Sequence, residues 1–255
     1  MEPAICLLPV VPMRKEPSHR SEMVSQLLFG EYVSRGEEKD DFVPVICLYD
    51  GYEGWVQANQ LIPVEEVSST TLYVGSAESK VTINGIEKSL SIGSPVYQPG
   101  KELQIGGVKL QYPANDHIYW NCKSNENSFI DSFQNLYRPY LYTPYLWGGK
   151  SVFGIDCSGF VQQVFKLLGV KLLRDAYLQA EQGTGVANFD DANMGDLAFF
   201  QNENGRITHV GIVLTHNEIV HASGRVRIDT FDVEGIIQKE SGKRTHRLHS
   251  IRRFF

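Results

Sequence analysis

Cysteine is scarce in this chain: four in 255 residues (Cys6, Cys47, Cys122 and Cys157), with no CxxC pair among them. That spacing excludes a disulfide scaffold and gives no support to a zinc site built on thiolates. Long hydrophobic runs are also missing, and none approaches the roughly 18 residues that a membrane-spanning helix needs. Positive charge is the minority sign, 24 Lys and Arg against 30 Asp and Glu, for a net charge of −6. Neither nucleic acid nor an anionic membrane is therefore expected as a partner. The N-terminal stretch "MEPAICLLPVVPMRKEPSHRSEM" carries Glu2 where a signal peptide carries Lys or Arg, and Pro3, Pro9 and Pro12 interrupt it. A cytoplasmic protein is expected, the alternative being an exported or periplasmic one whose signal has been removed.

What is present reads as an ordinary globular protein, 42% hydrophobic and long enough for more than one small domain. Cys6 ("AICLL") and Cys47 ("VICLY") sit in apolar contexts and read as small buried hydrophobes. Up to about residue 125 the chain consists of short β-branched and aromatic runs such as "FVPVICLY", "GWVQ", "TLYVG" and "KVTING". Turn signals such as Asn84-Gly85 and Pro99-Gly100 punctuate them. The pattern restarts after "GYEGWVQANQLIPV", which divides this region into two small β domains, 1–64 and 65–125, with "VEEVSST" as the link.

From residue 126 to 255 the grammar is helical, then β. "NSFIDSFQNLYRPYL" places Phe129, Ile130, Phe133, Leu136 and Tyr137 near a helical period, with Asn127 or Ser128 as cap. "DCSGFVQQVFKLLGV" repeats the pattern through Phe160, Val161, Val164, Phe165 and Leu168, an amphipathic helix ending at Gly169. Cys157 then opens a helix, where unpaired N–H groups and the helix dipole favour a thiolate. "GDLAFF", "THVGIVL" and "EIVHAS" read as strands, the middle one with a single buried face.

A thiolate nucleophile needs a base, and the base needs a residue to orient it. Of the seven histidines, His246 and His249 fall in the polar tail "GKRTHRLHSIRR", which reads as a solvated face. His209 and His221 open one strand and close the next, and a turn at His216-Asn217 would set those strands side by side. That placement alone leaves two readings open: a Cys157, His209, His221 triad, or satisfied structural histidines.

Four motifs in order, "PYLWGGKSVFGIDCSGFVQQVF", "GDLAFF", "THVGIVL" and "VHAS", resemble the NlpC family of papain-like cysteine peptidases, which cut bacterial cell-wall peptides. The resemblance implies an α+β fold: a papain-like domain of helices packed on an antiparallel sheet, preceded by two SH3-like β-barrels. It implies Cys157 as nucleophile, His209 as base and His221 as the residue orienting it, with no metal and no cofactor. The two β domains resemble the subfamily of γ-D-glutamyl-L-diamino acid endopeptidases, which release L-alanyl-γ-D-glutamate from murein peptides with a free N-terminal alanine.

In that subfamily an acidic neighbour of the nucleophile and nearby tyrosines hold the substrate ammonium. The matching residues here are Asp156 and Tyr145, with Ser158 beside the glutamyl carboxylate and Asp175 also in the substrate site. From the first β domain the resemblance carries over Glu31 and Tyr52. Ala176 stands where a substrate-binding serine is usual. The expected partner is a murein peptide and the expected state a monomer; an amidase, an acyltransferase or a non-enzymatic wall-binding protein are the competing functions.

Overall fold

The computed structural model describes residues 1–115, 117–118 and 133–255. Cys122, Asn127, Ser128, Phe129 and Ile130 lie outside them. The chain divides into two compact units: residues 1–122 with 147–153 and 166–169, and residues 123–146 with 154–165 and 170–255.

The first unit begins with seven antiparallel strands, β1 Glu2–Ile5, β2 Val10–Arg14, β3 Met23–Leu28, β4 Tyr32–Arg35, β5 Phe42–Cys47, β6 Glu53–Gln57 and β7 Ile62–Pro63. They form one sheet in the order β3-β2-β6-β5-β4-β1-β7. Alternation decides which side chains face inward: Val11 and Met13 of β2, and Val43, Val45 and Cys47 of β5, join Cys6, Val33 and Val56 in one apolar core.

The second β region supplies β8 Tyr73–Val74, β9 Lys80–Ile83, β10 Ile86–Ser89, β11 Glu102–Ile105, β12 Val108–Gln111 and β13 His117–Ile118. Asn84 and Gly85, both at positive φ, make the two-residue turn that joins β9 to β10, as their sequence predicts. Among the described residues, the buried apolar cluster of this region is shared with the first β domain. Val74, Val81, Leu90, Val96, Leu110 and Tyr112 pack with Ile5, Leu7, Phe29 and Tyr32 of the first β domain. Of the two expected SH3-like barrels, the N-terminal one is SH3-like, and the second β region shares its core. Short, largely exposed strands such as β10 bury too little to stand alone.

The first unit also holds β14, Lys150–Ser151. Gly148 precedes it at φ +74°, and a side chain there would meet the Met23 backbone, so close approach fixes this residue as glycine.

The second unit contains β15 Gly154–Ile155, β16 Thr184–Gly185, β17 Leu197–Gln201, β18 Ile207–Thr215, β19 Glu218–Ser223, β20 Arg225–Asp232, β21 Gly235–Ile237 and β22 Arg244–Arg253. The sheet runs β16-β22-β17-β18-β19-β20-β21, and a further β21–β22 pairing closes it on itself. Helix is limited among the described residues: a stretch at 133–137, the eleven-residue Cys157–Leu167 and the four-residue Ala176–Gln179. The sheet is antiparallel, as expected, but among the described residues less helix packs on it than the expected arrangement implies.

Two further expectations change. All eleven residues of the Cys157–Leu167 helix are buried, rather than one face only. Gln162 meets this by donating to the Leu172 carbonyl at 3.1 Å. In β18, residues 209–214 are buried on both faces, because the alternating positions His209, Gly211 and Val213 also face packed side chains.

Candidate active site

Asp156 precedes the Cys157–Leu167 helix, and its Oδ1 accepts from the Gly159 backbone N–H at 2.6 Å. It is thus the N-cap, satisfying a donor that the helix leaves open. The same carboxylate meets Arg174 in a fork, Nη1 to Oδ1 at 3.0 Å and Nη2 to Oδ2 at 2.6 Å. Arg174 Nη1 also donates to Ser158 Oγ at 2.9 Å. Arg174 is among the largest fully buried side chains, so this planar, charge-assisted pair locks the turn carrying Cys157.

The Cys157 thiol takes backbone hydrogen bonds from Val210 and Ser158, which places it beside β18 at the residue following His209. Burial nevertheless pushes this thiol up to about 12, with the Asp156 charge adding to the effect and the two backbone bonds opposing it. The expected lowering at a helix start does not occur, because desolvation of the thiolate outweighs it.

β18 and β19 run antiparallel with Gly211 opposite His221, so His209 and His221 share a face diagonally. A side chain at Gly211 would crowd the Ile219 side chain at 2.8 Å and the His221 Cβ at 3.0 Å. That vacancy lets the two rings meet: His209 Nε2 lies 2.8 Å from His221 Nδ1. His221 Nε2 in turn lies 3.1 Å from Asp229 Oδ2.

The direction of this relay follows from its last member. Burial raises Asp229, but the bonds from His221, the Lys239 backbone and Arg227 override it and hold the carboxyl down at about 2. A carboxylate only accepts, so His221 Nε2 carries a proton and, in the neutral ring, Nδ1 accepts. His209 Nε2 is then the donor, and His209 Nδ1 keeps the lone pair. Burial, followed by the neighbouring His246 and His221, drives His209 well below its ordinary 6.5, so this ring is neutral at physiological pH.

Tyr145 is half-buried, its backbone N–H bonded to the Gly224 carbonyl at 3.0 Å. Burial, then the nearby Cys157 and Asp156, raise its phenol, which places Tyr145 with both. Asp175 caps the Ala176–Gln179 helix through its carbonyl, which accepts from Leu178 and Gln179. Cys157, Ser158, Asp156, Tyr145, His209 and His221 all fall in the second unit.

Glu31 and Tyr52 belong to the first unit. Glu31 is buried and is held by Lys150 Nζ and Lys166 Nζ, each at 2.9 Å. Burial raises its carboxyl, but the two lysines override this and bring it to about 2. Lys166 also lies over the Tyr49 ring, 4.5 Å from its centroid. Tyr52 packs against the first core.

Two residues of the relay's surroundings escape the sequence reading. Asp229 sits inside β20 without a motif around it. His246 is not part of a solvated tail: β22 pairs with β17 and β21, and the His246 ring stacks on His209 with centroids 4.1 Å apart and planes at 25°. The signal was the alternation of His246 and Leu248 with exposed neighbours, which marks a strand.

Residues 142–245 match the NlpC/P60 family, and residues 13–61 match the bacterial dipeptidyl-peptidase SH3 domain. This chain carries an NlpC/P60 peptidase domain. It is a cysteine peptidase, with the NlpC/P60 domain following an SH3 domain. The chain is 25% identical over 259 residues to the gamma-D-glutamyl-L-lysine dipeptidyl-peptidase of Bacillus cereus (strain ATCC 10987 / NRS 248), an alignment covering 90% of this chain and 77% of that one. It is 27% identical over 255 residues to dipeptidyl-peptidase 6 of Lysinibacillus sphaericus, covering 90% and 92%. The crystal structure of an NlpC/P60 family protein from Bacillus cereus ATCC 10987 shares the fold, with a TM-score of 0.78 at 20% identity over 98% of this chain and 99% of that chain.

Proposed function

We propose that this protein hydrolyses the γ-D-glutamyl-diamino acid bond of murein peptides with a free N-terminal L-alanine, releasing L-alanyl-γ-D-glutamate in cytoplasmic recycling of wall peptides. The observation that carries the chemistry is the directed relay from Asp229 through His221 to His209, which leaves a basic nitrogen on His209. The name of the Bacillus relative, a gamma-D-glutamyl-L-lysine dipeptidyl-peptidase, supports the bond, and that of the Lysinibacillus relative supports a dipeptidyl-peptidase. The short antiparallel strands β10-β9-β12-β11 support reading the second β region as a further SH3-like element.

Cys157 Sγ attacks the γ-carbonyl as its proton passes to His209 Nδ1. His209 then protonates the leaving amine, and the C–N bond breaks to give a thioester. Water attacks the thioester, losing its proton to His209, and that proton returns to the departing Cys157 sulfur. The Cys157 backbone N–H at the helix start is the oxyanion donor. Ser158 is assigned to the glutamyl carboxylate, Asp156 and Tyr145 to the ammonium end, and Asp175 to a remaining substrate contact.

One observation favours a second reading. Both Asp156 oxygens already accept from Arg174, and Glu31 already meets two lysines, so neither carboxylate is waiting for a cation. A hydrolase on the same scaffold that does not demand a free amine fits this pairing. N-acetylated L-Ala-γ-D-Glu-diaminopimelate separates the two: the proposed specificity requires loss of turnover on acetylation, and undiminished turnover favours the second reading.

A further inference from the structure

We propose that His209, His221 and His246 form a binding site for a divalent transition metal of the zinc class, and that metal bound there shuts off hydrolysis. The nitrogens these three residues offer all lie within 4.8 Å of one another. They come from three strands, β18, β19 and β22, of one closed sheet, so a rigid scaffold holds the set.

The His209–His221 pair needs little adjustment, whereas His246, whose ring stacks on His209 with planes at 25°, has to turn out of that stack to aim a nitrogen at the same ion. His209 Nε2 and His221 Nδ1 are 2.8 Å apart, whereas two imidazole nitrogens on one tetrahedral zinc, each at about 2.0–2.1 Å, stand roughly 3.3 Å apart. An opening of about half an ångström therefore lets an ion replace the shared proton, given the bond lengths above. Asp229 completes the arrangement from behind. Its bond to His221 Nε2 at 3.1 Å leaves Nδ1 as the coordinating atom, the carboxylate–histidine–metal pattern of protein metal sites. His246, the partly exposed member, gives the ion its way in.

Three imidazoles leave a fourth position for water. Metal at His209 Nε2 breaks the His209–His221 bond that orients the base and draws electron density from the ring. Metal binding and proton transfer thus compete for one residue. The inhibition rests on His209 being the base of the proposed function; the binding does not.

The test uses the full chain, stripped with chelator and titrated with Co²⁺ and Zn²⁺. One ion per chain is expected, with the visible bands of four-coordinate Co²⁺. His246→Phe keeps a ring against His209 but removes both nitrogens, and should weaken binding by about tenfold or more; Asp229→Asn, which alters only the outer shell, should weaken it by about 10–100-fold. His249→Ala, at an exposed position, is the control. Zinc should inhibit the wild type and lose potency in parallel in His246→Phe, with each rate normalised to its own metal-free value. Equal Co²⁺ affinity in wild type and His246→Phe, or saturated metal with full activity, overturns the proposal. Loss of hydrolysis in the metal-free wild type would count against the proposed function while the Co²⁺ titration still judged the site.

Discussion

Arg174 grips both carboxylate oxygens of Asp156, the residue that also caps the helix opened by Cys157. The pair makes the nucleophile's position depend on a charge eighteen residues beyond Asp156. Removing one partner leaves the other buried and unpaired, at a cost of about 3–5 kcal/mol. Arg174→Met should therefore lower the melting temperature clearly and depress kcat, and Arg174→Lys should recover only part of either, because an ammonium cannot form the fork. Thermal unfolding together with kcat measures both effects. A variant as stable and active as the wild type would refute the structural role.

Asp229→Asn places an amide where the relay needs a pure acceptor. If the amide donates to His221 Nε2, that ring's protons exchange places and His209 loses the tautomer with a basic Nδ1. A loss of about 10²–10⁴ in kcat is expected with little change in KM. An unchanged kcat would show that the relay does not set the tautomer.

Cys157 is raised to about 12 and His209 is lowered well below 6.5, so the resting pair at pH 7 is thiol and neutral imidazole. In the substrate-free enzyme, iodoacetamide should alkylate Cys157 slowly at pH 7 and ever faster above pH 9. A plateau beginning below pH 7 would instead reveal a thiolate–imidazolium pair. The acid limb of kcat/KM should likewise fall below pH 6.5, because His209 stays unprotonated there.

Glu31, at about 2 in the folded chain against an ordinary 4.5, has a depressed carboxyl. The stability it contributes is present above pH 4.5 and is lost as the pH falls toward 2. Glu31→Gln leaves Lys150 and Lys166 facing each other without their anion. It should destabilise the fold by about 3–5 kcal/mol and flatten the acid side of the stability profile. Denaturant unfolding from pH 3 to pH 7 reads both.

Much of the second unit was legible from local pattern. The apolar spacing around Cys157 marked its helix, and the "THVGIVL" and "VHAS" runs marked the paired strands that bring His209 to His221. The pairings that act at long range were not legible. Nothing near Asp156 announces Arg174, nothing near His221 announces Asp229, and Lys150, Lys166 and Glu31 come together from three separate stretches. His246 was hidden by composition, since a stretch rich in Arg, Lys and His reads as solvated unless its alternation is weighed first. The thiol's direction was misjudged because a helix N-terminus is visible in sequence, whereas the burial that outweighs it is not.

The central claim is that Cys157 takes the acyl group of a γ-D-glutamyl peptide. Acid-quenching the enzyme during turnover of L-Ala-γ-D-Glu-diaminopimelate and measuring the mass of the Cys157 peptide tests it directly. The account predicts an added L-alanyl-γ-D-glutamyl group on that cysteine, with free diaminopimelate in solution, and neither product from Cys157→Ala. Diaminopimelate released at an undiminished rate by Cys157→Ala would contradict it.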